Sequence, residues 1–188
     1  MIDRRRALAG VITMFGALFA PIARAAGVAP AGGVPAIAEG PPSAQVFTPT
    51  QRALMAALSE RVIPTTDTPG ALAAGVPAYI EKLLADWALP EDRLPILVGL
   101  DAIEARSMRD HGLSAVRATP AQQDTLLTLA MNGELPEADK FFVPFRQLVI
   151  AGYYTSEIGM TKEREYLPVP GEYNGEFLYS NVNKVYSA

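Results

Sequence analysis

Apolar residues recur at helical spacing through most of the chain between residues 46 and 160. The segment that follows Pro77 is typical, with Ile80, Leu83, Leu84 and Trp87 at positions i, i+3, i+4 and i+7. This spacing places the four side chains on one face of a helix. Similar patterns follow residues 48, 90, 119 and 136. The sequence therefore predicts five amphipathic helices and an all-α fold, a small helical bundle.

Short signals mark where these helices begin and end. Thr48 and Thr119 are each followed by proline and, three residues later, by glutamine. This spacing predicts a capping box with proline at the first helical position. Pro64 should end the first helix, because the residue before a proline disfavours helical geometry. Gly112 and Gly133 are expected to end the third and fourth helices.

The third and fifth helices carry more detailed predictions. The third, over about residues 91–110, is expected to bury a stripe of five apolar residues. These are Leu94, Leu97, Val98, Ala102 and Ala105. Asp101 interrupts that stripe and, if it is buried, would form a polar site. The fifth helix is predicted to open at Pro136 and to run toward Ile158.

The first 25 residues have the three parts of an export signal. A basic start is followed by an uncharged apolar run from Ala7 to Ile22, and Ala23 and Ala25 form a small-residue cleavage site. Cleavage is expected after Ala25. The alternative is a transmembrane helix, but the apolar run has 16 residues, and a membrane span needs about 20.

The start of this signal indicates the export route. Arg4 and Arg5 are paired, and Leu8 follows them within the apolar run. Paired arginines of this kind resemble the twin-arginine signal, which a bacterial export receptor reads as an address. The chain is therefore expected to leave the cytoplasm by the twin-arginine route, with no membrane span after cleavage.

Two further segments flank the predicted helical domain of residues 46–160. Residues 26–45 are rich in Ala, Gly and Pro and predict a linker, which either stays free or packs along a partner. Residues 161–188 are rich in Pro and Tyr and predict an extended interaction tail, with a short hairpin near Asn174-Gly175.

Charge and composition exclude several functions. The net charge is −4; without residues 1–25, which hold four of the 16 basic and one of the 20 acidic residues, it is −7. Nucleic acid and anionic membrane surfaces are therefore not expected as partners. The chain has no cysteine and a single histidine, His111, so thiolate and His-rich metal sites are excluded. His111 is expected to cap a helix C-terminus.

The known catalytic and nucleotide-binding motifs are missing as well. The sequence has no G-x-G-x-x-G, G-x-S-x-G or H-E-x-x-H. The acidic pairs Glu81 with Asp86 and Glu163 with Glu165 are expected to be solvated charges. We therefore expect no catalytic, cofactor-binding or metal-binding residues in this chain.

Residues 152–159, GYYTSEIG, form the least ordinary segment. One interpretation is the end of a helix with a packed tail behind it. The other is an interaction surface, because tyrosine is enriched at protein interfaces. Composition alone leaves both interpretations open.

Three motifs together resemble a known family. They are RVIPTTDTPGA at residues 61–71, GYYTSEIG at residues 152–159 and YLPVPGEYNG at residues 166–175. In these motifs the chain resembles the gluconate 2-dehydrogenase subunit 3 family, the small subunits of flavin-dependent sugar and sugar-acid dehydrogenases.

The resemblance implies a non-catalytic subunit in a periplasmic complex at the inner membrane. The large subunit, a GMC-type dehydrogenase, would carry FAD, and a c-type cytochrome subunit with haem often completes such complexes. The small subunit would support export, assembly and stability of the flavoprotein. The residues expected to contact the partner are Tyr153, Tyr154, Thr155, Glu157, Tyr166, Pro168, Pro170 and Tyr173, followed by Thr66 and Asp67.

Two other functions stay open at this stage. One is a stand-alone periplasmic enzyme, which the missing catalytic motifs disfavour. The other is a periplasmic scaffold or binding module with an unrelated partner. A flavoprotein that co-purifies with the chain would distinguish the family function from both.

Overall fold

The computed structural model describes residues 40–166 and, beyond them, residues 171, 176, 178–181, 183 and 186–187. Its described part contains five α-helices, which confirms the predicted all-α fold. They are α1 (Pro49–Val62), α2 (Val76–Asp86), α3 (Pro90–His111), α4 (Pro120–Met131) and α5 (Phe142–Tyr154).

Shorter elements connect and follow the helices. Residues Ala115–Arg117, Pro136–Ala138 and Tyr179–Asn181 form 3-10 turns, and Gly159–Glu163 forms a π-helical turn. Two two-residue strands, β1 (Glu165–Tyr166) and β2 (Tyr186–Ser187), pair in parallel. The hairpin predicted at Asn174-Gly175 lies outside the described residues.

Both predicted capping boxes are present. In α1 the Thr48 hydroxyl accepts from the Gln51 N–H at 3.2 Å, and the Gln51 side chain accepts from the Thr48 N–H at 3.0 Å. Thr119 and Gln122 repeat this exchange at the start of α4. Each box satisfies two N–H groups that a helix start otherwise leaves unpaired. As predicted, Gly112 follows the end of α3, with φ at +68°.

Helix α1 lies at the centre of the bundle and contacts each of the other four helices. Its Leu54, Met55 and Leu58 are at most 1% exposed. The largest side chains that close over them come from α5 and the residue before it. These are Phe141, Phe145 and Tyr153, all fully buried. The two phenylalanine rings stack with centroids 4.9 Å apart.

The buried face predicted for α3 is wrong in part, since only Leu97 and Ala102 of its five residues pack against the core, and these are half-buried. Leu94 is 58% exposed and Val98 is 38% exposed. The buried face instead consists of Ile96, Gly99, Leu100, Ile103 and Ser107. Gly99 explains the choice, because the Phe141 ring packs so close to it that a β-carbon would clash with the ring. Asp101 is consequently exposed rather than a buried polar site, and accepts from the Gln51 amide at 2.8 Å.

The predicted start of the fifth helix is also wrong. Pro136 opens a 3-10 turn, and α5 begins only at Phe142. Pro144 supplies the reason, since proline lacks an N–H and is tolerated in the first turn of a helix but breaks its interior. A helix that began at Pro136 would place Pro144 in its interior. The structure places it in the first turn of α5.

Candidate partner interface around the residue 65–70 loop

The loop that joins α1 to α2 contains the sequence TTDTPG at residues 65–70, here called the TTDTPG loop. Glu60, on the last turn of α1, braces it. Its carboxylate accepts from the Thr65 N–H at 2.9 Å, the Thr65 hydroxyl at 2.8 Å and the Leu72 N–H at 2.9 Å. Burial acts to raise the pKa of Glu60, but the hydrogen bonds from Leu72 and Thr65 outweigh it, so the pKa is lowered. A charged Glu60 therefore holds the start of the loop and the backbone just after its end.

Gly70 lets the loop close tightly on this carboxylate. Its N–H donates to the Thr65 hydroxyl at 2.9 Å. A β-carbon at Gly70 would lie 2.5 Å from the Thr65 nitrogen and 2.6 Å from a Glu60 oxygen. Both distances are shorter than a non-bonded contact permits, so a side chain here would push the loop away from Glu60.

Tyr153 joins the second sequence motif to this loop. Its hydroxyl donates to the Pro69 carbonyl at 2.8 Å, across 84 positions of sequence. The side chain is only 1% exposed, and burial raises the pKa of its hydroxyl. Tyr153 therefore lies beneath the surface, where it fixes the loop to α5 instead of presenting its ring to a partner.

The chain turns sharply after Tyr153. The Ser156 hydroxyl donates to the Tyr153 carbonyl at 2.6 Å and accepts from the Gly159 N–H at 3.0 Å. Gly159 packs directly on that carbonyl, and a β-carbon there would clash with backbone atoms. The π-helical turn that follows is tied to the loop, because the Thr68 hydroxyl donates to Glu163 at 2.6 Å. Since Glu163 is held in this way, the prediction that it is a solvated charge is wrong.

A polar cavity of about 370 Å³ opens where the two motifs meet. The exposed Thr66 and Asp67 line it, together with Tyr154, Lys162, Glu163 and Arg164. The Arg164 guanidinium lies 4.5 Å from the centre of the Tyr154 ring, within cation–π range. The Thr66 hydroxyl donates to Asp67 at 2.9 Å and lowers the pKa of that carboxyl. The cavity thus combines the Asp67 carboxylate with basic, acidic and aromatic side chains.

The other predicted interface residues divide into two groups. Thr155 and Glu157 are exposed, with Thr155 on the cavity between α2 and α5, and Tyr166 lies in β1. Pro168, Pro170 and Tyr173 lie outside the described residues. The export-signal positions also lie outside them; these are Arg4, Arg5, Leu8, Ala23 and Ala25. The assignment of the interface as a whole stays a prediction.

Sequence reasoning missed four residues that shape this site. Glu60 looks like an ordinary charge near the end of a helix, and Thr68 like an ordinary loop residue. Lys162 and Arg164 follow the second motif without any recognisable pattern. Their roles depend on contacts across as many as 95 positions, which no local spacing signals.

Two other kinds of functional feature are missing from the part of the chain that the structure describes. No group of three or more His, Cys, Asp or Glu side chains there could hold a metal ion. None of the helices in that part combines the length and apolar character that a membrane crossing requires. His111 is the last residue of α3, the predicted capping position.

Comparison with known proteins identifies the family. The sequence profile described as gluconate 2-dehydrogenase subunit 3 matches residues 49–171. The chain belongs to this family. The match covers more than half of the chain, begins at the first residue of α1 and includes both motifs that form the cavity. Neither a curated protein nor a solved structure gives a significant match.

Family membership describes the chain as one subunit of a dehydrogenase. It therefore implies a dehydrogenase partner, and the surface around the TTDTPG loop becomes a candidate contact site for it. In this family member, Thr66 and Asp67 are exposed while Tyr153 and Glu60 hold them in place from inside.

Proposed function

We propose that the chain is a non-catalytic small subunit of a periplasmic, FAD-dependent sugar or alcohol dehydrogenase of the GMC type. It supports export of the flavoprotein subunit by the twin-arginine route, and it supports assembly and stability of the complex. FAD belongs to the large subunit, and a c-type cytochrome with haem is a further partner. The observation that carries the proposal is the family match, which names a dehydrogenase subunit.

The geometry of the TTDTPG loop supports a partner-binding function. Interfaces with high affinity need groups that are held in place before binding, because ordering them during association costs free energy. Glu60, Tyr153 and Gly70 together fix the loop through hydrogen bonds and close packing. The exposed Thr66 and Asp67 are therefore presented in one conformation.

The N-terminal sequence supports the export function. Arg4 and Arg5, the apolar run and the Ala23-Arg24-Ala25 site form a complete signal. A flavoprotein that folds around FAD in the cytoplasm would be carried across the membrane bound to this chain. The small subunit then provides the address for both proteins.

Co-purification from the periplasm tests the proposal. The chain is expressed with its native gene neighbours, isolated from the periplasmic fraction, and its visible absorption spectrum is recorded. We expect flavin bands, with haem bands in addition if a cytochrome subunit is present. A preparation without flavin, or one that binds an unrelated protein, would contradict the proposal.

The matched control separates export from binding. Arg4→Lys with Arg5→Lys keeps the charge but removes the arginine pair that the receptor reads. Both this chain and the flavoprotein should then accumulate in the cytoplasm, still bound to each other. If the flavoprotein reaches the periplasm in this variant, the chain does not carry its export signal.

A further inference from the structure

An open groove follows the seam between α2 and α5. It consists of two cavities, of about 610 Å³ and about 560 Å³, that share Tyr79 as a common wall. The first is bounded among others by Gly40, Pro42, Ala78 and Ser156. The second is bounded mainly by apolar side chains, including Leu83, Trp87, Pro144 and Leu148. The groove therefore offers an elongated, largely apolar surface that is separate from the cavity at the TTDTPG loop.

The beginning of the described chain is fastened to the edge of this groove. The Ser43 N–H donates to the Asp86 carboxylate at 2.7 Å, and the Lys82 ammonium donates to the Pro41 carbonyl at 3.1 Å. Lys82 also pairs with Asp86 at 2.8 Å. Hydrogen bonds from Lys82 and then Ser43 lower the pKa of Asp86 to about 2. Asp86 is exposed, as predicted, and its carboxylate also holds the N-terminal segment against α2.

The residues just before Gly40 suit the groove in composition. The segment 26–39 reads AGVAPAGGVPAIAE and has one charge, Glu39. Pro30 and Pro35 disfavour a helix and favour an extended conformation that needs no hydrogen-bonding partner strand. Val34 and Ile37 are its larger apolar side chains near Gly40.

The length of the segment also fits. Fourteen residues in an extended conformation span roughly 43 Å at about 3.1 Å per residue. The 11 residues of α2 span about 17 Å at 1.5 Å per residue. The segment can therefore leave Gly40, turn and follow the whole length of α2.

We propose that residues 26–39 bind in the α2–α5 groove as an extended strap, with Val34 and Ile37 against the apolar stretch between Tyr79 and Trp87. A tethered segment has an effective concentration in the millimolar range, so weak apolar contacts are enough to keep it bound. A separate molecule would need a much higher affinity for the groove to displace the tethered segment. The strap covers the groove in the free chain and does not depend on the identity of the dehydrogenase partner.

Trp87 provides a direct test, because it is the single tryptophan of the chain and is half-buried in the groove. In one variant, residues 28–37 of the full chain are replaced by a Gly/Ser sequence of equal length. We expect the fluorescence emission of the processed protein to shift to longer wavelength and its quenching by acrylamide to increase. A synthetic peptide of residues 26–39 should reverse both changes at about millimolar concentration.

A matched pair of variants isolates the apolar contacts. Val34→Ser with Ile37→Ser should reproduce the shift, whereas Ala36→Ser with Ala38→Ser should leave the emission unchanged. Far-ultraviolet circular dichroism, unchanged in each variant, shows that the helical bundle is intact. The substituted residues precede α1 in the sequence, so no core side chain of the bundle is changed.

Three results would overturn the proposal. The first is equal emission and quenching in the parent and the Gly/Ser variant. The second is a Trp87 signal that depends on protein concentration in both, which would assign the groove to a second copy of the chain. The third is a signal that changes only when the flavoprotein binds, which would assign the groove to the dehydrogenase partner.

Discussion

At the scale of single residues, the candidate site depends on side chains that do not face a partner. Glu60 accepts three hydrogen bonds, two from Thr65 at the start of the TTDTPG loop and one from Leu72, just after it. Tyr153 anchors Pro69 from below. The position of the exposed Thr66 and Asp67 therefore depends on buried or half-buried residues whose chemistry, taken alone, is ordinary.

Glu60→Gln should make the protein less stable and less sensitive to acid. Glutamine keeps the size but loses one acceptor oxygen, so a loop N–H loses its partner at a cost of about 1–2 kcal/mol. The pKa of Glu60 is lowered in the folded chain, so its contribution is present above the unfolded pKa and disappears as pH falls through the folded value. Urea unfolding of both proteins at several pH values between about 6 and 3 measures this.

The expected result is a stability difference that is largest near neutral pH and narrows as the pH falls. Glu137→Gln, at an exposed position in the 3-10 turn before α5, serves as the control and should leave stability unchanged. If the difference between Glu60→Gln and the parent is the same at both ends of the pH range, the carboxylate is not what holds the loop.

At the scale of elements, α3 shows how a helix with two apolar faces is oriented. Leu94 and Val98 form one candidate face, and Ile96, Leu100 and Ile103 form the other. The second face is buried because Gly99 allows the Phe141 ring to approach the helix closely. A position without a side chain therefore decided which side of α3 joins the core.

Leucine-to-alanine substitutions on the two faces should differ strongly. Leu100 is fully buried, and Leu100→Ala should reduce the free energy of unfolding by about 2–5 kcal/mol. Leu94 is 58% exposed, and Leu94→Ala should change it by no more than about 0.5 kcal/mol. Chemical denaturation of the two variants compares them directly. Equal losses of stability would mean that the assignment of the α3 faces is wrong.

At the scale of the whole molecule, α5 brings two distant motifs into one surface. Its C-terminal residue pair Tyr153-Tyr154 reaches the TTDTPG loop, while its N-terminal end packs against α3 through Phe141. The helix has 13 residues, so its two ends are about 20 Å apart. The N-terminal end of α5 therefore packs in the core, and its C-terminal end contacts the candidate interface.

Charge reversal at the two ends of α5 tests where the dehydrogenase partner binds. Asp67→Lys should weaken binding of the flavoprotein by about tenfold or more. Asp139→Lys, at an exposed position just before α5, should leave it unchanged. Titration calorimetry or biolayer interferometry with the purified flavoprotein gives both affinities. If Asp139→Lys weakens binding of the flavoprotein more than Asp67→Lys does, the flavoprotein does not bind at the TTDTPG loop.

The sequence by itself determined the all-α fold, the two capping boxes and the glycine after α3. These features depend on residues within one or two helical turns of each other, so local spacing carries the information. It also determined the family, because the motifs at residues 61–71 and 152–159 are contiguous strings. The start of α5 was not predicted correctly, although Pro144 indicates that the helix begins close to it, because proline is tolerated only in the first turn.

Only the tertiary structure decided which face of α3 is buried, and that Tyr153 lies inside while Thr66 and Asp67 lie outside. It also decided that Glu60, Thr68 and Glu163 hold the loop. These outcomes depend on how close two distant backbones can approach, as at Gly99 and Gly159, and on hydrogen bonds across up to 95 positions. Such contacts have no periodicity along the chain, because packing in three dimensions creates them.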